Sequence, residues 1–412
     1  MRKTLGMVTV ALLLNSGPAF SEEWTKKELE ILKQRIEKLE QEHETGPQIH
    51  GGVVLYYQGA HLGKIEGENI PSPSGTGYVA DLEISFKLTE EDEFYMRLHA
   101  GEGSGADKIF DVKEGALFAN LNTLSDDNPE NEATFKLLEA YYTRPFLDGK
   151  VTLSVGKTEP PVFIDDNEYA NNEYSQFVGK PFVNNPIIDG EFQFAPIVGV
   201  VISPVDKLEI SAVLQSNEQS KLYWNGSEWS VKEKSLYDNV FDNPFFALQV
   251  KVSPEIAGLS GNYRLYYWND SADHIKVGED VSDPTKKPST DKGWGVGISI
   301  DQEISEKAGI FARAAWGNDK VYEVEQFYSV GLNLNGIFPS REKDILGVGV
   351  AALIPNDKLE NSSTEWHFEA YYRTQISENL SITPDFQLVL NPQGDSSNDN
   401  IFTAMVKAEF SF

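Results

Sequence analysis

Residues 402–412, FTAMVKAEFSF, carry the pattern that decides the fold. Apolar side chains take every second position: Phe402, Ala404, Val406, Ala408, Phe410 and Phe412. Thr403, Met405, Lys407, Glu409 and Ser411 stand between them. Period two describes a strand with one apolar face and one largely polar face. Ending on Phe, the segment reads as the closing strand of an outer-membrane barrel, with lipid on one side and water on the other. The edge strand of a soluble sheet can show the same alternation, so the rest of the chain must choose.

Upstream the pattern recurs. Leu82, Ile84, Phe86 and Leu88 alternate with polar neighbours, and Phe94, Met96, Leu98 and Ala100 do so after a short connection at 89–93. That connection suits a hairpin. Further sets are Trp294, Val296, Ile298 and Ile300; Ile310, Ala312, Ala314 and Trp316; Val330, Leu332 and Leu334; and Trp366, Phe368, Ala370 and Tyr372. Phe386, Leu388 and Leu390 read as lipid-facing, with Asp385, Gln387 and Val389 opposite and Pro384 at the strand entry, where its missing N–H costs least. Tyr and Trp gather near strand ends, as interfacial aromatics do. About 360 residues at roughly 20–25 per strand and its share of loop give about 16 strands, an even number as closure favours.

The 412 residues are 40% hydrophobic, and no apolar run beyond the N-terminus is long enough for a spanning helix, which excludes a helical membrane protein. There is no Cys, hence no disulfide framework and no thiolate metal site. Acidic residues number 64 against 35 basic ones, a net charge of −29 that argues against nucleic acid. No HExxH, phosphate-binding loop or GxSxG elbow occurs, and the six His lack ligand spacing.

Residues 1–21 read as a secretory signal: Arg2 and Lys3, an apolar core from Leu5 to Leu14, and a cut after Ala19 or Ser21. Residues 22–46 read as a periplasmic coiled-coil helix. Its seam is Leu29, Leu32, Ile36 and Leu39, and Gly46 with Pro47 stops it. The alternative is a helix lying on the barrel rim. The expected fold is therefore all-β, a transmembrane antiparallel barrel of about 16 strands over 47–412, preceded by a short N-terminal helical coil. Long loops are expected at 101–131, with an apolar patch at 115–121, at 165–188, at 274–291 and at 394–400.

Two stretches carry a family resemblance. Gly156 to Ile188, GKTEPPVFIDDNEYANNEYSQFVGKPFVNNPII, and Phe368 to Gly394, FEAYYRTQISENLSITPDFQLVLNPQG, resemble the carbohydrate-selective porins of Gram-negative outer membranes. The likeness extends over roughly residues 50–412. It implies a barrel of about 16 strands around a constricted channel that passes mono- and oligosaccharides by diffusion. The coil before Gly46 departs in emphasis from that family.

Such a channel lowers the barrier for a polar solute crossing about 25–30 Å of hydrocarbon. A sugar needs hydroxyl partners and flat apolar platforms: Arg donates from a rigid fork, carboxylates accept, and Tyr or Trp supply surfaces. Strand parity nominates the lumen residues Arg97 and His99; Glu139 and Tyr141, facing away from Leu138, Ala140 and Tyr142; Arg264, if Leu265 and Tyr267 face out; Arg313; and Glu369, Tyr371 and Arg373. The candidate constriction loop offers acceptors at Asp165, Asp166, Asn167 and Glu168 and surfaces at Tyr169, Tyr174 and Phe177. The alternative for this segment is an outer loop packed on a neighbouring subunit. No cofactor is expected. The acidic run suits a structural calcium in its oxygen content but not in its spacing.

The leading expectation is a passive channel for sugars and small oligosaccharides, embedded in outer-membrane lipid and lipopolysaccharide as a homotrimer. A porin for anions, small acids or mixed solutes is the first alternative. A structural protein linking the outer membrane to a periplasmic partner is the second. A barrel enzyme would need a nucleophile–His pair near the rim, and no spacing suggests one.

Overall fold

The computed structural model describes residues 46–89, 91–113, 115–125, 135–188, 193–217, 219–233 and 235–412. The expected leader and the coil with its seam Leu29, Leu32, Ile36 and Leu39 lie outside the described residues, save Gly46. Among the described residues there is no N-terminal helix or coiled coil, and the fold expectation is corrected to the barrel alone. Two heptads bury too little to hold a lone helix in water, so seam spacing by itself does not establish one.

Sixteen strands form the wall. They are β1 (Gln48–His61), β2 (Ser74–Lys87), β3 (Glu93–Glu102), β4 (Lys136–Phe146), β5 (Val151–Thr158), β6 (Ala195–Val205), β7 (Leu208–Gln215) and β8 (Phe245–Val252). There follow β9 (Leu259–Ile275), β10 (Thr290–Ser305), β11 (Ala308–Gly317), β12 (Val324–Asn335), β13 (Ile345–Pro355), β14 (Glu365–Ser377), β15 (Leu380–Leu390) and β16 (Ile401–Ser411). Each pairs antiparallel with its neighbours in sequence. β16 returns to β1 in a ladder running from Gly52↔Ser411 to His61↔Phe402. That last ladder closes the ring and leaves no strand edge facing lipid, where each unpaired backbone group would cost several kcal/mol.

Alternation is visible in burial. Val406 is 51% exposed and Lys407 beside it 0%. The same contrast separates Leu265 from Arg264, Phe386 from Asp385, and Trp366 from His367. Two local departures have physical causes. A register shift between β3 and β4 pairs Arg97 with Glu139 and Leu98 with Leu137, so Leu138 is buried together with Glu139 instead of opposing it. Pro384 does not start its strand but lies within β15. Pairing with β14 stops at Tyr371↔Asp385 and resumes at Thr374↔Ile382, while Pro384 still faces Val406 of β16. A proline has no N–H to give to the ladder, and the interruption absorbs that loss.

One barrel end carries only short connections, from 306–307 and 378–379 up to 336–344, together with Gly51 and Phe412, which exchange backbone hydrogen bonds. The other end carries the long ones, including 103–135, 159–194, 216–244 and 276–289. The 216–244 connection holds a small hairpin, Gln219–Trp224 with Trp229–Glu233. In outer-membrane barrels the short turns face the periplasm. Part of the barrel interior is packed. Phe163, Ile164, Phe177 and Phe182 from the 159–194 connection form one apolar cluster with wall residues Tyr266, Trp268, Phe311, Phe327 and Tyr371. Large rings fit against the wall because inward positions of β10 are glycine. A Cβ on Gly297 would stand 2.1 Å from the Tyr266 ring, and one on Gly295 2.2 Å from Trp268.

Candidate functional site

The 159–188 segment lies inside the wall and is fixed at both ends by polar side chains pointing inward. At one end Asp165 is fully buried in the left-handed region, φ 61°. Its carboxylate accepts from the Asn185 amide at 2.7 Å, the Tyr266 hydroxyl at 2.9 Å and Arg313 Nε at 3.1 Å. Burial pushes this carboxyl above its ordinary value, although Arg313 and the Asn185 amide pull the other way. Arg313 also donates to the carbonyls of Phe182 and Asp165, each at 3.0 Å, and to Asn171. Next in line, Asp166 takes Arg264 in a two-point pair at 2.6 and 2.8 Å, and Arg264 reaches Asp301 at 2.5 Å. Asn167 donates to Ser299 and to the Ile300 carbonyl. The segment is thus tied to β8–β11, with Gln249 of β8 accepting the Asp165 amide at 2.9 Å.

The other end is held by the wall near β1 and β14–β16. Lys407 of β16 donates to the carbonyls of Glu173 and Gln176 at 2.6 and 2.7 Å. Glu369 of β14 accepts the amides of Val178 and Gly179 at 2.6 and 2.9 Å. An ammonium holding carbonyls and a carboxylate holding amides are charge-assisted bonds, stronger than neutral ones. The Tyr174 hydroxyl donates to Asp81 of β2. Phe177 sits edge-on to Tyr371 at 4.9 Å and stacks on Phe182 at 5.0 Å.

The 103–125 part of the β3–β4 connection also turns inward. Gln58 of β1 accepts the Ala106 amide at 3.0 Å, and Gln387 of β15 donates to the Leu121 carbonyl at 2.8 Å. Thr123 bonds through amide and hydroxyl to the Val178 carbonyl at 2.9 and 3.0 Å, joining this segment to the first. Sequence reasoning marked this stretch only as a long loop. Its signal was the apolar patch at 115–121, whose Ala116, Leu117, Ala119 and Leu121 are buried. Lys407, Asp81 and Asp301 also went unnominated, although parity already set each on the inward face.

A chamber of about 590 Å³ runs from this segment to Gly51 and Phe412 at the short-turn side. Its lining includes Asp81, Glu83, Arg97, Glu159, Glu173 and Glu409, with Tyr174, Pro161 and Val54 as apolar surface. Arg97 pairs with Glu139 at 2.8 Å and lies over the Phe194 ring, 5.4 Å from its centroid. His99 is buried against Asp81, Nδ1 to Oδ1 2.9 Å. Tyr141 packs on Tyr95 with centroids 5.1 Å apart. Arg373 pairs with Glu409 at 2.9 Å. In contrast, the side chains of Arg264 and Arg313 are 2% and 0% exposed. Glu168 is exposed, and Tyr169 lies against Gly309. Of the parity nominees Arg97 lines the chamber, His99, Glu139 and Arg373 pair with residues of its lining, and Arg264, Arg313, Glu369 and Tyr371 lie beneath the loop. Asp165 and Asp166 turn to arginines, and among the described residues no three His, Asp or Glu side chains are grouped to hold a metal ion.

The sequence profile described as carbohydrate-selective porin, OprB family, matches residues 75–412. The chain belongs to the OprB family. It is 21% identical to Porin B of Pseudomonas aeruginosa over 464 aligned residues, which span 99% of this chain and 96% of that protein. In fold it is similar to the structure described as the high pH structure of Pseudomonas putida OprB, with a TM-score of 0.72 at 18% identity, covering 90% of this chain and 96% of that one. The outer membrane channel DcaP of Acinetobacter baumannii is more distant, with a TM-score of 0.53 at 12% identity, covering 89% and 97%. This OprB-family chain is a passive diffusion channel of the Gram-negative outer membrane, and channels of this type are not catalytic.

Proposed function

We propose that the channel passes sugars and small oligosaccharides, and that the inward segment near 165–188 is its constriction. The observation that carries the reading is the two-sided anchoring of that segment, to β8–β11 through Asp165–Asn167 and to β14–β16 through Glu369 and Lys407. A segment fastened on both sides of a ring narrows the passage without changing the strand number. Arg97, Glu139, Tyr141, His99 and Arg373 form the passage wall with the acidic groups of the chamber. Arg264, Arg313, Glu369 and Tyr371 position the constriction, and Glu168, Tyr169 and Tyr174 belong to the constriction itself. Weak, multiple contacts let solute leave as readily as it enters. The barrel works as a homotrimer, with lipid around its apolar belt and lipopolysaccharide at the long-loop end.

The test is single-channel recording with a panel of sugars and salts on the purified porin. Concentration-dependent current block by neutral sugars is expected, and Arg373→Ala should change block or conductance while heat-resistant folding persists. Strong ion selectivity with no sugar block would favour the reading as a general small-solute porin.

A further inference from the structure

We propose that a monovalent metal cation, sodium or potassium, binds between the 103–125 segment and the barrel wall, held by Asp385 Oδ2, Thr403 Oγ1 and the side-chain oxygen of Asn122. Three strands supply the floor. Asp385 and Gln387 stand on β15, Thr403 and Met405 on β16, and Gln58 on β1. Asp385 and Gln58 are both level with Met405, and Gln387 is level with Thr403. The roof is the Leu121 carbonyl, which accepts from Gln387 Nε2 at 2.8 Å and from Gln58 Nε2 at 3.4 Å. β16 runs between the two strands that carry these glutamines, so Leu121 and Asn122 cross over Thr403 and Met405. A Cβ on Gly105 would stand 2.6 Å from Gln58 Oε1 and 3.2 Å from Asn122 Nδ2, which sets the Asn122 amide beside Gln58.

The polar side chains here are shut away from solvent. Gln58, Asn122 and Asp385 are 0% exposed, Thr403 1% and Gln387 3%. Even so, Asp385 Oδ2, Thr403 Oγ1 and both ends of the Asn122 amide make no hydrogen bond within the chain. Buried polar atoms in that condition are costly, and several in one place point to a bound water or ion. The donor set favours an ion. A carboxylate, a hydroxyl and an amide offer hard oxygens, the kind that hold hard cations. With a single carboxylate among them, the charge they match is one rather than two.

The neighbouring charged groups are turned to other work. Lys407, the next inward residue after Met405 on β16, gives its ammonium to the carbonyls of Glu173 and Gln176 at 2.6 and 2.7 Å. Glu369, diagonal to Asp385 across the β14–β15 ladder, accepts the Val178 and Gly179 amides. Asp107 accepts the amides of Leu121 and Asn122 at 2.9 and 3.0 Å. A cation at this point links Asp385 and Thr403 of the wall to Asn122, and through Thr123 to the Val178 carbonyl of the 159–188 segment. It clamps the second inward segment at the level of the constriction, whichever solute passes.

Crystals of the full porin soaked in thallium acetate test the site directly, because thallium is a potassium-sized ion with strong anomalous scattering. An anomalous peak among Asp385, Thr403 and Asn122 is expected, and a water there without anomalous signal overturns the proposal. In detergent solution, hydrogen exchange of the 118–125 amides is compared in sodium, potassium and choline chloride at equal ionic strength. Exchange should be several-fold slower in sodium or potassium than in choline. Thr403→Val keeps the side-chain shape without the hydroxyl, and Asp385→Asn removes the charge. Either change should abolish the difference between salts, with heat-resistant migration as the check that the barrel has folded. Equal exchange in all three salts overturns the proposal. So does protection that follows pH and ignores the cation, the mark of a proton shared between Asp385 and Glu369. A salt difference that persists in the folded variants overturns the assignment to these residues.

Discussion

Arg313 and Asp165 set the energetics of the constriction one residue at a time. Both side chains are fully buried. Removing one partner leaves the other as an uncompensated charge, which costs about 3–5 kcal/mol. Arg313→Met is therefore expected to release the 159–188 segment while the barrel, held by its ladders, stays heat-resistant. Limited proteolysis should then cut within the segment, and protection equal to the parent protein would refute the anchoring role. Lys407→Met removes two charge-assisted bonds to carbonyls, each worth about 1.5–3 kcal/mol. Its channels should show larger and noisier conductance steps. Parity in the sequence put Arg313 and Lys407 on the inward face. Their partners are 148 and more than 230 positions away, and no local pattern points to them.

At the level of elements, period two was readable wherever a strand has lipid on one side. It failed where the ladder itself changes, at the shift beside Leu138 and at Pro384, because pairing errors belong to two strands at once. Gly295 and Gly297 stand opposite the apolar set of β10. Their role is clearance, since Tyr266 occupies the space over Gly297. Gly297→Val should displace that ring from Asp165 and destabilise the loop by about 1–3 kcal/mol. Hydrogen exchange of the 165–185 amides would register it, and unchanged protection would argue against it. The 336–344 turn offers a pH test. The Asp344 carboxylate accepts from Arg341 at 2.7 and 2.8 Å, from the Tyr372 hydroxyl at 2.7 Å and from the Gln375 amide at 3.0 Å. Burial raises its pKa, but these donors outweigh burial and hold it below the ordinary value. A depressed carboxyl stabilises the fold above its unfolded pKa of about 3.9 and ceases to do so as pH falls through the lower folded value. The turn should loosen below about pH 4 in the parent protein. Asp344→Asn should flatten that response, read as exchange in the turn between pH 3 and pH 6.

For the whole molecule, closure is the governing event. The β1–β16 ladder joins residues about as far apart as the described chain allows. A chain truncated before Ile401 would expose the edges of β1 and β15 to lipid and should not reach the heat-resistant form, judged by migration in detergent with and without heating. The alternating faces, the even strand number, the membrane class and the family were legible in the sequence. Each follows from side-chain periodicity or from local motifs, and both survive without knowledge of distant partners. Tertiary structure alone decided which arginines hold the loop and which lies at the chamber, and that a second connection turns inward. Those outcomes depend on which buried charges find partners across the ring, and only the closed barrel brings them within bonding distance.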